Sequence, residues 1–234
     1  MKKHFTFFLM CLFAISAFAQ TDKPHFVSLN IGTNIPIGQY QKLDSIASGT
    51  ASSGLYYSFE TGLYLSKFFG IGANLGAFAN PVDDGDIEDQ LRNDLGAGSE
   101  YEINSKDWLN AYALVGPYFT FGTDAIRLDL KFLAGIINSQ KPLINVTTMN
   151  SGQVVVSRNE EATATSFGFN YGLHLRIKLV GKLGLRLNAE GFSTQQEFES
   201  KVVEESNGSE QIQESTIEKE IQALNLGAGL VLTF

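Results

Sequence analysis

The chain is short of several things at once. In 234 residues it has one cysteine, Cys11, and three histidines, His4, His25 and His174. Cys11 lies inside an apolar run near the amino terminus, so the chain beyond that run has no disulfide and must draw its stability from backbone pairing and packing. So few His and Cys residues exclude a zinc-type ligand cluster, and no metal or cofactor is expected. They also leave no Ser/His/acid or cysteine-based catalytic arrangement to assemble, so no catalytic residue is expected and the chain is not read as an enzyme. Basic side chains are scarce too: 17 Lys and Arg stand against 25 Asp and Glu, a net charge of -8, which excludes nucleic acid as a partner. Past the amino-terminal run, no stretch reaches the ~20 consecutive apolar residues of a membrane helix. A mean hydropathy of -0.01 and 18% charged residues resemble a soluble protein. Barrels that cross a membrane with strands hide in the same figures, because their apolar residues alternate with polar ones.

The residues that are present begin with a leader. Lys2 and Lys3 precede the apolar run Phe5 to Phe18, which ends in Ala17-Phe18-Ala19. A basic start, an apolar middle and an A-x-A site predict a signal peptide over residues 1–19, a short periplasmic lead over 20–25 and one domain over 26–234. Leu9-Met10 before Cys11 are too large for a lipidation site. Without Lys2 and Lys3 the balance is 15 basic against 25 acidic residues, a net charge of -10.

The last stretch, Ile221 to Phe234, sets the pattern. Leu224, Leu226, Ala228, Leu230, Leu232 and Phe234 fall on every second residue, with Asn225, Gly227, Gly229, Val231 and Thr233 between them. Alternate side chains of an extended chain face opposite ways, so this is a strand with one apolar and one small or polar face. Seven earlier segments repeat the pattern: Phe26–Ile37, Gly54–Ser66, Phe69–Asn80, Trp108–Phe121, Ala125–Asn138, Ala164–Leu179 and Leu183–Gln195. Pro117 interrupts the ladder of the fourth and could shift its register, since proline donates no ladder hydrogen bond. The connections alternate long and short, and nearly all strand glycines share the polar face. A hairpin turning at Asn150-Ser151-Gly152 is expected to stand beyond the membrane, and Asn207-Gly208 signals another turn. The prediction is an all-β, eight-stranded antiparallel up-and-down transmembrane barrel.

Which face meets lipid is decided by charge. The polar face carries Glu60, Arg127, Asp129, Lys131, His174, Arg176, Lys178, Arg186 and Glu190. A soluble lipocalin-like barrel would turn these outward around an apolar cavity. Glycine with scattered charge makes a poor solvent surface but a good packed lumen. An Arg or Lys facing lipid at midplane would cost about 2–4 kcal/mol. The charges are therefore expected inside, with Glu60, Asp129 and Glu190 ion-paired to the bases.

The alternating strands and the terminal Phe234 resemble the small eight-stranded outer-membrane barrels of bacteria: OmpA/OmpX-type domains and the porin-family β-barrel domain with PorT-like members. The resemblance implies an integral outer-membrane protein of structural or interaction type. It implies that Leu226, Leu230, Leu232 and Phe234 form the signal read by the barrel-insertion machinery. It also implies contact with the bilayer and outer-membrane lipids, and with a surface or secretion-complex protein or a surface polymer through external loops.

Those loops, Pro81 to Asp107 and about Gln196 to Glu220, hold 17 of the acids; their D-D-G-D-I-E-D stretch lacks the calcium-loop spacing, so solvated loops are expected. A narrow pore and a lipid-modifying outer-membrane enzyme are the alternatives, the latter needing a Ser/His pair at the outer rim.

Overall fold

The computed structural model describes residues 24–43, 50–95, 100–150, 153–206 and 209–234. The signal peptide predicted over residues 1–19 and the turns expected at 151–152 and 207–208 fall outside them. Strands β1 (Phe26–Ile37), β2 (Gly54–Tyr64), β3 (Phe69–Asn80), β5 (Trp108–Gly122), β6 (Ile126–Lys141), β9 (Ala162–Val180), β10 (Leu183–Ser206) and β11 (Ser209–Thr233) pair antiparallel, each with its neighbour. The ring closes where β11 pairs β1 in register, Phe26 opposite Thr233 through Ile37 opposite Gln222. Closure removes every unpaired edge at membrane depth, which a hydrocarbon surrounding demands.

The alternation does what polarity requires. Leu29 and Leu55 are each 66% exposed on the outer wall, beside Ile31, Tyr57, Val115, Phe132, Phe169 and Leu230. Glu60, Asp129, Lys131 and Arg186 are fully buried inside. That is the reverse of a soluble lipocalin, and that alternative is overturned. The barrel spans a membrane. The short connections gather at one end: Leu65 to Phe68, Thr123 to Ala125, and Gly181-Lys182, where Gly181 takes the left-handed φ of 57° that favours glycine.

Across Pro117 the β5–β6 ladder keeps one register, Val115 opposite Ala134 and Tyr118 opposite Lys131. Beyond the long connections the structure departs from expectation. The stretch read as an acidic loop, Pro81 to Asp107, holds helix α1 (Asp84–Leu95) and strand β4 (Glu100–Ser105). The hairpin expected beyond the membrane is β7 (Ile144–Asn150) with β8 (Gln153–Asn159). Strands β10 and β11 do not stop near Gln195 and Ile221 but continue outward as one hairpin, Ser206 opposite Ser209. Its β10 arm pairs β8 through Val202–Ser206, and β8, β7 and β4 come next. The outer end is therefore a five-stranded sheet, β11-β10-β8-β7-β4, rising from the barrel wall.

Candidate functional site

The lumen is the site where unlike strands bring chemistry together. Glu60 on β2, Lys131 on β6, His174 on β9, and Arg186 and Glu190 on β10 all point inward, because each lies an even number of residues from an inward glycine or asparagine of its strand. Lys131 Nζ stands between two carboxylates, 2.7 Å from Glu60 Oε1 and 2.9 Å from Glu190 Oε1. Arg186 Nη2 donates to Glu60 Oε2 at 2.8 Å, and its Nη1 to Ser28 Oγ at 2.8 Å. Tyr118 Oη at 3.0 Å and Asn74 Nδ2 at 3.1 Å complete the shell of Glu60. Glu190 accepts from Asn170 Nδ2 at 3.1 Å and faces His174 Nε2 at 2.8 Å. With Arg186 donating to His174 Nδ1, the tautomer that fits carries its proton on Nε2.

A second cluster lies towards the short-turn end. Arg176 grips Asp129 with two nitrogens, Nη2 to Oδ1 at 2.7 Å and Nε to Oδ2 at 2.6 Å. Thr120 donates to Asp129 at 2.5 Å, and Tyr64 is hydrogen-bonded to Thr120. Between the clusters lies the Phe26 ring, with the Arg176 guanidinium 4.6 Å and the Arg186 guanidinium 4.4 Å from its centroid. The register sets Arg127, Arg176 and Arg186 directly opposite one another on β6, β9 and β10. Their side chains part: Arg186 reaches Glu60, Arg176 reaches Asp129, and Phe26 lies between those two guanidinium groups.

Two expected members stay out. Arg127 turns back to Asp124 in the β5–β6 turn, at 2.5 Å, and Lys178 is exposed at the barrel mouth. Both sit within a few residues of a strand end: Lys178 takes water there, while the half-buried Arg127 is held inside its own turn, its Nε donating to the Thr123 carbonyl at 3.2 Å. The remaining set is balanced: three acids, Glu60, Asp129 and Glu190, against Lys131, Arg176 and Arg186. Glu60, His174 and Glu190 place ligand-type atoms within 4.8 Å of one another. Lys131 and Arg186 already supply the positive charge there, so the set suits an ion-pair knot better than a metal ion.

Further outward the lumen turns aromatic. Tyr56 and Tyr112 lead to Phe78 and Phe192, whose rings meet edge-on at 4.9 Å. Trp108 then packs edge-on against Tyr40 at 5.5 Å and Phe198 at 5.8 Å. Tyr40, in a short 3-10 helix (Gly38–Gln41), donates to Asn80 Oδ1 at 3.2 Å and accepts from Asn110 Nδ2 at 3.1 Å. Sequence reasoning missed it because one tyrosine in a polar loop carries no periodic signal. It also missed Lys141, whose Nζ donates to Asn159 Oδ1 at 2.5 Å and Ser200 Oγ at 3.0 Å. A serine beside a lysine is the nucleophile and base of some hydrolases, but Ser200 is 2% exposed and Lys141 0%, shut from substrate.

The lumen glycines allow this filling. A side chain at Gly72 would land on the Tyr118 ring and the Thr61 carbonyl, and one at Gly62 on the Phe26 ring. On the wall, Leu226, Leu230 and Leu232 are exposed in the lipid band, and Phe234 sets its ring 6.1 Å from that of His25.

An inside-out closed barrel with short turns at one end and long excursions at the other is an outer-membrane architecture. The chain accordingly resides in a bacterial outer membrane, short turns in the periplasm and the β4-β7-β8-β10-β11 sheet outside. No family model matches the sequence, and no curated protein matches it. Solved structures of similar shape include Ail, the attachment invasion locus protein of Yersinia pestis, at 12% identity over 90% of this chain and 99% of that one, TM-score 0.43. A major outer membrane protein from Thermus thermophilus aligns at 11% over 90% and 99%, TM-score 0.46. The outer membrane protease OmpT from Escherichia coli aligns at 9% over 92% and 98%, TM-score 0.39.

Proposed function

We propose that the barrel is an anchor with a sealed lumen and that its work is done by the external sheet, as an interaction protein of the outer membrane. The observation that carries this is the contrast along the axis. Ion pairs and stacked aromatics occupy the interior, while the acids of β10 and β11 stand in water beyond the lipid band. A lumen filled to this degree conducts no ions, and among the described residues the charged groups that pair within it are all buried. The external face contacts a protein or polymer of the cell surface. Leu226, Leu230, Leu232 and Phe234 act earlier, as the docking signal for the insertion machinery; deleting Phe234 should lower the folded yield in cells while leaving refolding into detergent unchanged.

Planar-bilayer recording on the purified barrel is the direct test. The expected trace is flat. Steady unitary conductance that disappears when Lys131 is replaced would make the protein a pore and end this reading.

A further inference from the structure

Strand β11 outlasts its partner on one side. Its pairing with β1 ends at Ile37 opposite Gln222, whereas its pairing with β10 runs on to Ser209 opposite Ser206. The 3-10 helix Gly38–Gln41 and Lys42 lie beside the lower part of this stretch, where Lys219 Nζ donates to the Lys42 carbonyl at 3.1 Å. Above them, among the described residues, Ser209 to Thr216 has no strand on its far side, and all eight of its residues are exposed. An unpaired strand edge offers a row of N–H and C=O groups to another chain. Proteins blunt such edges with proline, a bulge, brevity or charge; β11 has no proline, keeps an unbroken register with β10 throughout, and carries charge almost wholly of one sign, which turns away like edges and not a basic one.

The charge on this edge is sorted. Glu210, Glu214, Glu218 and Glu220 fall on even positions, so they share the outward face. The register brings Glu197, Glu199 and Glu205 of β10 to the same face, with Lys201 the base among them. Glu197 sits opposite Glu218 and Glu205 opposite Glu210, like charges where like charges repel. A second copy adding through its own β11 would bring acid against acid again. The opposite edge of the sheet, β4, carries Glu100 and Glu102 and repels in the same way.

From this geometry, resting on the interaction reading above, we infer that the Ser209–Thr216 edge takes up an extended, basic protein segment as a sixth strand of the external sheet, backbone to backbone, with its Lys and Arg side chains over the glutamate face. Strand addition gives affinity through the ladder and specificity through alternate side chains.

The test uses the full-length barrel in lipid nanodiscs and three fluorescent peptides. One alternates Lys with Val and Thr; the second is the same peptide N-methylated at alternate residues; the third carries Glu in place of Lys. Anisotropy should show the first binding, with affinity falling as salt rises. It should show at least about a tenfold loss on N-methylation, the weight of one or two net hydrogen bonds. A Glu210→Lys/Glu214→Lys/Glu218→Lys barrel, its fold checked by migration of boiled against unboiled protein, should prefer the acidic peptide instead. Equal binding of the methylated peptide, or no preference for basic over acidic, overturns the inference. Photo-crosslinkers in intact cells separate this failure from that of the underlying reading. Adducts from Glu199 or Glu102 but none from Gln211 or Gln213 reject the edge while leaving a partner in place. Adducts from none of the four reject the interaction reading, and the edge with it.

Discussion

Glutamate does two opposite things in this molecule. In the lumen, Glu60 and Glu190 are buried, and every oxygen meets a cation or a hydrogen-bond donor. On the external hairpin, Glu197 faces Glu218 and Glu205 faces Glu210, with water to disperse the repulsion. The same carboxylate is structural where solvent is absent and available where it is present. The difference is dielectric: two charges at contact separation interact several times more strongly near a protein interior than in bulk water. The lumen therefore tolerates no imbalance, whereas the external sheet can hold a net charge for another molecule to read.

The largest test of this contrast is Glu60→Leu. It leaves Arg186 without its carboxylate and Lys131 with half its partners, and it should destabilise the barrel by about 3–5 kcal/mol, read from urea midpoints. Glu60→Leu/Arg186→Leu should cost less than the sum of the two single changes, because the members form one network. Additive losses would dissolve the network into independent contacts.

Gly72→Val should come next. The new side chain meets the Tyr118 ring and a backbone carbonyl, and overpacking of this kind costs about 1–3 kcal/mol. A full-stability Gly72→Val barrel would mean the lumen has slack that ion pairs alone do not reveal.

Lys141 sharpens the contrast because it is buried yet lies outside the lipid band. Its strand has left that band after Ile136, and exposed Asn138 bonds to Thr165. Burial lowers the ammonium from 10.5 to about 8. Below pH 8 the amine is charged in both the folded and the unfolded chain, and the burial penalty is present in full. Between about 8 and 10.5 the folded form has released a proton that the unfolded form still holds, so stability rises with pH. Measured against Lys141→Met, the wild-type chain should gain stability as pH climbs through that window; a constant difference refutes the assignment.

The smallest change is expected outside. Glu197→Lys, opposite Glu218, should stabilise by about 0.2–1 kcal/mol, turning a like-charge pair into an opposite one. The same substitution should weaken binding of a basic peptide. A marked loss of folded protein would place the hairpin among the elements that hold the barrel together.

How much of this could be read from the sequence depends on where lipid ends. Between Leu224 and Leu232, or Phe167 and Leu173, one face meets hydrocarbon and the other the lumen, so alternation is written into the residues. Beyond Gln195 both faces of β10 can be polar, and only Phe198 and the pair Val202-Val203 still betray the strand. The helix α1 did leave a signal, Ile87 and Leu91 one turn apart, and both are buried, but the surrounding aspartates and Gly85 obscured it. In the lumen parity alone listed the six paired charges together with Arg127 and Lys178, which stay out, yet which cation meets which carboxylate could not be read. That choice depends on side-chain reach: Arg176 and Arg186 stand directly opposite and still diverge, one to Asp129 and the other to Glu60.

The seam between β1 and β11 has a consequence for assembly. Its two strands are separated by almost the whole chain, and Arg186 of β10 reaches past β11 to Ser28 of β1 on the lumen side of that seam. A ribbon of seven strands would hold two raw borders in oil, each a row of amides with nothing to bond. Intermediate shapes are therefore penalised at every stage until the first strand finds the last, and folding of such long-range pairing is slow. The finished ring can then be expected to open reluctantly as well: losing any one strand means breaking two ladders at once.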